Sequence, residues 1–175
     1  MKFLVLLFAS LGLLVSSVSG FTLKIVEGSY TWQEAKADAE ARGGRLAVLN
    51  SQERIDLANA YLSTLSSWNN LWIGLTDEVT EGDWKWITGE ELTDSFWVVD
   101  EPSNGGTSGN EHYAHYWAQE GSTTPIGWND RADMRYSPSG TDSMGYLLET
   151  VPEPSSYALL LGGLALGLVA LRRQL

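Results

Sequence analysis

The sequence predicts an α+β fold for the central part of this 175-residue chain. After one short strand pattern at residues 22–26, two helix patterns lie before residue 65, and further short strand patterns separated by polar and glycine-rich turns follow from about residue 70. Helices and strands that occupy separate stretches of a chain favour an α+β arrangement over an alternating one. No internal repeat interrupts this order, and the length suits one compact domain.

Both helix patterns carry start signals. Thr31 and Glu34 have the spacing of a capping box, and the alanine-rich segment after them ends at the glycine pair 43–44. Asn50 and Glu53 form a second box of the same kind, which predicts the start of another helix. That helix has one apolar stripe with spacings of three and four residues, made by Ile55, Ala58 and Leu62.

The strand patterns are short, and turns rich in glycine and polar residues lie between them. The predicted strands cover residues 22–26, 71–75, 84–87, 113–117 and 146–150. Residues 100–110 hold Pro102 and three glycines and show no periodicity, which predicts a long loop. Loops of this length inside a compact domain are usually functional or disordered.

Residues 1–20 have the order of a secretory signal peptide. Lys2 precedes an apolar run over residues 3–15, and small residues occupy positions 16–20. The run is short for a membrane span, and small polar residues follow it directly. This pattern predicts export and a mature domain over residues 21–150.

Residues 151–175 form a second sorting signature. Pro152, Glu153 and Pro154 precede an uncharged segment over residues 157–171, and Arg172 and Arg173 follow it. As a helix this segment rises about 22 Å, against roughly 30 Å for a bilayer core, and its arginines favour the cytoplasmic side. The signature resembles the PEP-CTERM sorting signal of exopolysaccharide-producing Gram-negative bacteria. That resemblance implies transient holding in the inner membrane, processing by the membrane protease exosortase and release to the cell surface or extracellular matrix; a plain C-terminal anchor is the alternative.

The charge balance and the residue types exclude several function classes. The chain has 22 acidic and 11 basic side chains, and an acidic surplus of this size disfavours nucleic-acid binding. Because there is no cysteine, disulfides, thiolate metal sites and cysteine nucleophiles are all excluded. The sequence also lacks the Gly-x-Ser-x-Gly motif of hydrolases and a glycine-rich phosphate loop.

Carboxylates and amides are concentrated around the predicted long loop. They are Asp77, Glu81, Glu101, Glu111, Asn129 and Asp130. Oxygen ligands of this kind are those that Ca²⁺ selects, and a cation would offset the repulsion between the carboxylates. Composition alone leaves open that these acids are simply solvated surface.

Three motifs in a fixed order carry a resemblance to the C-type lectin-like domain. They are Trp72-Ile73-Gly74-Leu75, Glu101-Pro102-Ser103 and Trp128-Asn129-Asp130. They follow a helix with Trp32, Glu34 and Ala35, and the resemblance covers residues 21–150. It implies an α+β fold with two helices, small antiparallel sheets and a long calcium-binding loop.

The resemblance also implies a ligand set. The principal Ca²⁺ would be held by Glu101, Ser103, Glu111, Asn129 and Asp130, with a cis peptide bond before Pro102. Sugar hydroxyls would meet the ion and the side chains of Glu101, Ser103, Asn104, Glu111 and Asn129. A weaker auxiliary Ca²⁺ site would use Asp77, Glu81 and Asn104. Two departures stand out, because Ser103 replaces the usual asparagine or aspartate and His112 replaces an expected aspartate.

The sequence therefore predicts an exported, calcium-dependent carbohydrate-binding protein without enzymatic activity. The alternative is a structural or adhesive matrix protein that keeps the fold and has lost sugar recognition, as Ser103 suggests. A hydrolase that uses Glu101 and Glu111 as paired carboxylates is disfavoured, because loop carboxylates beside asparagines are more typical of cation ligands. His112 and His115 would point to opposite faces of a strand and cannot bind one ion together. Trp84, Trp86 and Trp97 are assigned to the core in preference to a sugar platform.

Overall fold

The computed structural model of the chain describes residues 20–105, 110–118, 124–135 and 143–151. The predicted signal peptide, apart from residue 20, and the sorting residues from Pro152 to Arg173 lie outside the described residues. Within the described part, no helix has both the length and the apolar character that a membrane crossing requires.

The described residues form two helices and seven strands. The helices are α1 (Trp32–Ala41) and α2 (Gln52–Ser63). The strands are β1 (Thr22–Val26), β2 (Arg45–Leu46), β3 (Asn70–Thr76), β4 (Lys85–Trp86), β5 (Tyr113–Tyr116), β6 (Trp128–Arg131) and β7 (Met144–Thr150). The predicted α+β class, with helices before most of the strands, is confirmed.

Helix α1 begins as the sequence predicts. The Thr31 hydroxyl accepts from the Glu34 backbone N–H at 3.2 Å, and the Glu34 carboxylate accepts from the Thr31 N–H at 3.0 Å. This reciprocal pair satisfies two amides that the first helical turn leaves unpaired. The helix stops before Gly43, which has a φ of 75° that a residue with a side chain rarely adopts.

Helix α2 begins one residue later than the predicted box. The prediction of Asn50 as the cap was wrong, because the Ser51 hydroxyl accepts from the Arg54 backbone N–H instead. The Asn50 amide donates to Glu90 Oε2 at 2.6 Å and so serves a long-range contact. Asn and Ser are both good caps, and adjacent candidates cannot be separated by propensity.

The strands pair into one sheet with the order β1-β7-β3-β5-β6, to which β2 and β4 add at β7 and β3. All pairs are antiparallel, as predicted, except β3 with β7, which run parallel. The edge pair β1–β7 brings the two ends of the domain together, since the Thr22 and Thr150 hydroxyls lie 2.6 Å apart. The site-bearing strand β6 lies at the opposite edge.

Among the described residues, two clusters of buried apolar side chains form the core, and β3 contributes to both. Leu71 and Ile73 belong to the cluster that includes α2 and β6, whereas Trp72 belongs to the cluster that includes α1 and β7. This alternation is the two-residue period of a strand covered on both faces. Trp84 and Trp86 are buried and Trp97 packs against them, so their assignment to the core is confirmed.

A buried carboxylate fastens β7 to the segment before α2. The Glu149 side chain is fully buried and lies 2.7 Å from Arg45 Nη2 and 2.6 Å from Arg54 Nη2. Its Oε2 also accepts from the Val48 backbone N–H at 2.9 Å. A buried charge is tolerated when it is paired and hydrogen-bonded in this way.

Candidate functional site

Asp130, on β6, organises the start of the long loop. Its side chain is buried, and its two oxygens accept from the backbone N–H groups of Ser103 at 3.0 Å and Asn104 at 2.7 Å. The strand pairing of β5 with β6 fixes Asp130 opposite Ala114. The loop is thus attached to a rigid strand at the point where the predicted ligands begin.

Asn104 joins the two ends of the loop. Its φ of 47° is in the left-handed region, which asparagine adopts more readily than most residues. Its side-chain oxygen accepts from the Glu111 backbone N–H at 3.1 Å. A Cβ placed on Gly105 would lie 2.9 Å from Ser103 Oγ and 3.9 Å from Glu111 Oε2, so these two side chains face the same small space.

Glu101 lies next to Asp130, at the start of the same loop. The peptide bond between Glu101 and Pro102 is cis, which is the geometry that the resemblance implies. Burial raises the pKa of the Glu101 carboxyl above its usual value, a hydrogen bond from Ser103 opposes this, and the neighbouring Asp130 raises it further. Burial and a neighbouring carboxylate both disfavour the ionised form of Glu101, and a cation bound nearby would favour it.

Two buried oxygen atoms of the predicted ligands have no hydrogen-bond partner among the described residues. They are Glu101 Oε2 and Asn129 Oδ1. A buried polar atom without a partner costs about 1–3 kcal/mol, so native proteins seldom keep one without a ligand or a function. Glu101 lies beside Asp130, and Asn129 directly precedes Asp130 on β6. Unpaired oxygens of this kind suit a hard cation such as Ca²⁺, for which oxygen is the preferred donor.

The predicted principal ligands differ in how directly the structure connects them. Glu101, Ser103, Asn104 and Asp130 are linked by the contacts above, and Glu111 joins them through Asn104. Among the described residues, the carboxylates of this set do not form a close group of three that could share an ion without other ligands. An ion here would therefore depend on hydroxyl and amide oxygens as well.

A second, tighter group lies at Asp77, Glu81 and His112. One ligand atom from each residue lies within 4.8 Å of the other two. The described hydrogen bonds of Asn104 go to Asp130 and Glu111. Asn104 is therefore placed with the principal set, and the third member of this group is His112, the residue that stands where the resemblance expects an aspartate. The resemblance related His112 to the site of Asp77 and Glu81, but the direct contact between His112 and Asp77 was not predicted.

Beneath the loop, the aromatic residues are structural. Trp128 is completely buried and makes edge contacts with Trp86 and Trp97 at centroid distances of 5.8 Å. His115 is also buried and packs against Trp72, whereas His112 contacts Asp77. The two histidines are separated as the strand geometry predicts.

The fold and the site define a class: an α+β domain with two helices on a mixed sheet and a long loop that ends among acidic and amide side chains. The model of the C-type lectin domain family matches residues 28–138, and that of the PEP-CTERM protein-sorting motif matches residues 150–174. The chain therefore belongs to the C-type lectin domain family and carries a PEP-CTERM sorting motif. Both resemblances seen in the sequence are confirmed.

Relatives with this domain come from archaea and animals. The chain is 30% identical over 147 residues to halomucin of Haloquadratum walsbyi, a match that covers 77% of this chain and 2% of halomucin. It is 34% identical over 102 residues to the hepatic lectin of Gallus gallus, covering 57% of this chain and 44% of that lectin. The chain thus spans less than half of the length of either relative.

Solved structures share the fold. The carbohydrate-recognition domain of cow CD23, determined in the presence of a GlcNAc2Man3 oligosaccharide, superposes with a TM-score of 0.58 at 26% identity over 77% of this chain and 90% of that one. The carbohydrate-recognition domain of the mouse scavenger receptor C-type lectin has a TM-score of 0.61 at 21% identity, covering 77% and 93%. The second likeness concerns the fold alone.

Proposed function

We propose that this protein is an exported lectin whose long loop binds Ca²⁺ and, through it, an extracellular polysaccharide. The observation that carries the proposal is the pair of buried oxygens without a hydrogen-bond partner among the described residues: Glu101 Oε2, beside Asp130, and Asn129 Oδ1, one residue before Asp130 on β6. Membership of the C-type lectin domain family supports it, because binding modules of this family are generally not enzymes.

Five residues would hold the ion: Glu101, Ser103, Glu111, Asn129 and Asp130. When bound, Ca²⁺ supplies positive charge and coordination positions that the hydroxyls of a sugar can occupy. The side chains of Glu101 and Glu111 can accept hydrogen bonds from those hydroxyls, and the Asn129 amide can donate to them. Asn104 holds the loop in place through its contacts to Asp130 and the Glu111 N–H.

Ser103 favours a second candidate function. Ser103 has a single short hydroxyl where sugar-binding members of the family usually have an amide or a carboxylate. Without that larger group, the site has one metal ligand and one hydrogen-bond partner fewer. A matrix protein that uses the lectin fold for structure or adhesion, without sugar recognition, accounts for this residue. The two functions differ in whether chelation of calcium abolishes glycan binding.

Binding of the full chain to a glycan array, with calcium and then with chelator, tests the proposal. We expect chelator-sensitive binding that Glu111→Gln abolishes and that Ser103→Asn strengthens roughly tenfold, the value of about one added hydrogen bond. Asp94→Asn removes an exposed acid outside the site and is the matched control. Glycan binding that is absent, or unchanged by chelator and by Glu111→Gln, would favour the matrix function.

The PEP-CTERM motif implies export and sorting to the cell surface. We further infer that exosortase removes the tail after the apolar segment has held the chain transiently in the inner membrane. The intact mass of the protein recovered from the cell surface tests this inference. A mass that still includes Arg172 and Arg173 would show a permanent anchor.

A further inference from the structure

The group formed by Asp77, Glu81 and His112 shares no residue with the proposed calcium site, although His112 directly follows Glu111 in the chain. Asp77 directly follows β3, Glu81 lies in the turn after it, and His112 directly precedes β5. The group offers two carboxylate oxygens and one imidazole nitrogen within 4.8 Å of one another. It is therefore a mixed oxygen and nitrogen site, unlike the all-oxygen principal set.

The backbone holds this group in place. β3 and β5 are antiparallel, and Thr76 is paired with Tyr113, so the residues that flank this pair are brought side by side. The Asp77 N–H donates to the His112 carbonyl at 3.2 Å, which continues the pairing by one residue. Two of the three ligand-type residues are thus preorganised by sheet structure.

The side chain of Asp77 is buried and aimed at the histidine. Its Oδ2 accepts from the Gly82 N–H at 2.7 Å, and its Oδ1 lies 3.0 Å from His112 Nδ1. A turn closed by the Thr80 N–H on the Asp77 carbonyl returns the chain, so that Glu81 Oε2 lies 3.5 Å from the same Nδ1. The three side chains converge, with the buried Asp77 as the floor of the group and the more exposed His112 and Glu81 as its rim.

We propose that Asp77, Glu81 and His112 bind a transition-metal dication, with Zn²⁺ as its representative, in preference to Ca²⁺. Ca²⁺ takes six to eight oxygen ligands, whereas imidazole suits zinc, copper and nickel. Zinc bonds of about 2.0–2.2 Å place tetrahedral ligand atoms about 3.4 Å apart. The separations of 3.0 and 3.5 Å lie on either side of that value.

The remaining separation, between the carboxylate oxygens of Asp77 and Glu81, can be adjusted by movement of the Glu81 side chain. Its side chain is half exposed, whereas that of Asp77 is fully buried, so the rim can adjust while the floor stays fixed. A bound ion would then join the turn after β3 to the start of β5. The competing explanation is a hydrogen bond between His112 and Asp77 alone, in which Glu81 has no part.

Calorimetric titration of the chelator-stripped full chain with ZnCl₂ and with CaCl₂ tests the proposal. We expect one zinc ion bound at this group, and a loss of zinc affinity of about 100-fold or more in His112→Asn and in Glu81→Gln, since even outer-shell partners of metal ligands cost about 10–100-fold. Asp83→Asn removes an exposed acid from the same turn and should leave zinc affinity unchanged. Glu101→Gln should also leave it unchanged, which separates this site from the proposed calcium site.

Replacement of the nitrogen donor supplies a second test. His112→Asp makes the group all-oxygen, so we expect zinc affinity to fall and calcium affinity to rise. Because Glu81 is on the rim, Glu81→Gln remains informative even if changes at His112 impair folding, which circular dichroism would reveal. Absence of zinc binding, zinc binding unaffected by Glu81→Gln, or equal affinity for zinc and calcium at this group would overturn the proposal.

Discussion

Calcium should stabilise this domain, and Glu101→Gln should abolish that effect without weakening the metal-free protein. The two orphaned oxygens, Glu101 Oε2 and Asn129 Oδ1, each cost about 1–3 kcal/mol when unpaired, so an ion that pairs both relieves about 2–6 kcal/mol. At a calcium concentration of 100 times Kd, mass action stabilises the folded state by about 2.7 kcal/mol. For a domain of this size, that corresponds to a rise in Tm of about 8–13 °C.

The pKa of Glu101 determines which of the two metal-free proteins, the parent or Glu101→Gln, is the more stable. Because burial raises the pKa of Glu101 in the folded state, ionisation of this carboxyl lowers the free energy of unfolding as pH rises from the ordinary carboxyl pKa through the raised one. Gln cannot ionise, so metal-free Glu101→Gln should melt at or above the metal-free parent at neutral pH.

Differential scanning calorimetry of the full chain with calcium and with chelator measures both effects, and Asp94→Asn is the control that should keep the calcium shift. A Tm of the parent protein that is the same with calcium and with chelator would refute the calcium site. A calcium shift retained in Glu101→Gln would refute the assignment of Glu101 to it.

Two further predictions concern buried charges. Glu149→Gln should lower the free energy of unfolding by about 3–5 kcal/mol in urea titrations, because it leaves the guanidinium groups of Arg45 and Arg54 without their buried carboxylate; a loss below 1 kcal/mol would contradict this. Burial lowers the pKa of His115 to about 3, with Arg131 adding to the effect, so its contribution to stability is complete above pH 6.5 and should fall by about 1.4 kcal/mol per unit as pH drops towards 3. Acid titration of His115→Gln should lack that component, and an unchanged acid limb would count against it.

Local chemistry made much of the fold predictable. The box at Thr31 and Glu34 specifies the start of α1 by direct contacts between neighbours, and strand β1 has the predicted bounds of residues 22–26. The two-residue strand β2 and the four-residue strand β6 were not predicted, because segments so short have no measurable periodicity. Their strand geometry comes from their partners, β7 and β5.

The candidate sites depend more heavily on distant contacts. The sequence could name Glu101 and Asp130 as ligand types, but the hydrogen bonds from the loop backbone to Asp130 join residues 26 and 27 positions apart. His112 reaches Asp77 because β3 and β5 adopt one particular register. Register follows from packing across the whole sheet, and a change of one residue would turn the side chains to the other face.

The contact between Thr22 and Thr150 has a consequence for how the domain can be displayed. Polypeptide that precedes Thr22 and polypeptide that follows Thr150 depart from neighbouring points on the β1–β7 edge. Strand β6 is four places from β1 in the sheet, roughly 19 Å away at the usual spacing between strands. Attachment of the domain to a support by either end therefore leaves the loop-bearing edge directed outward and open to large polymers.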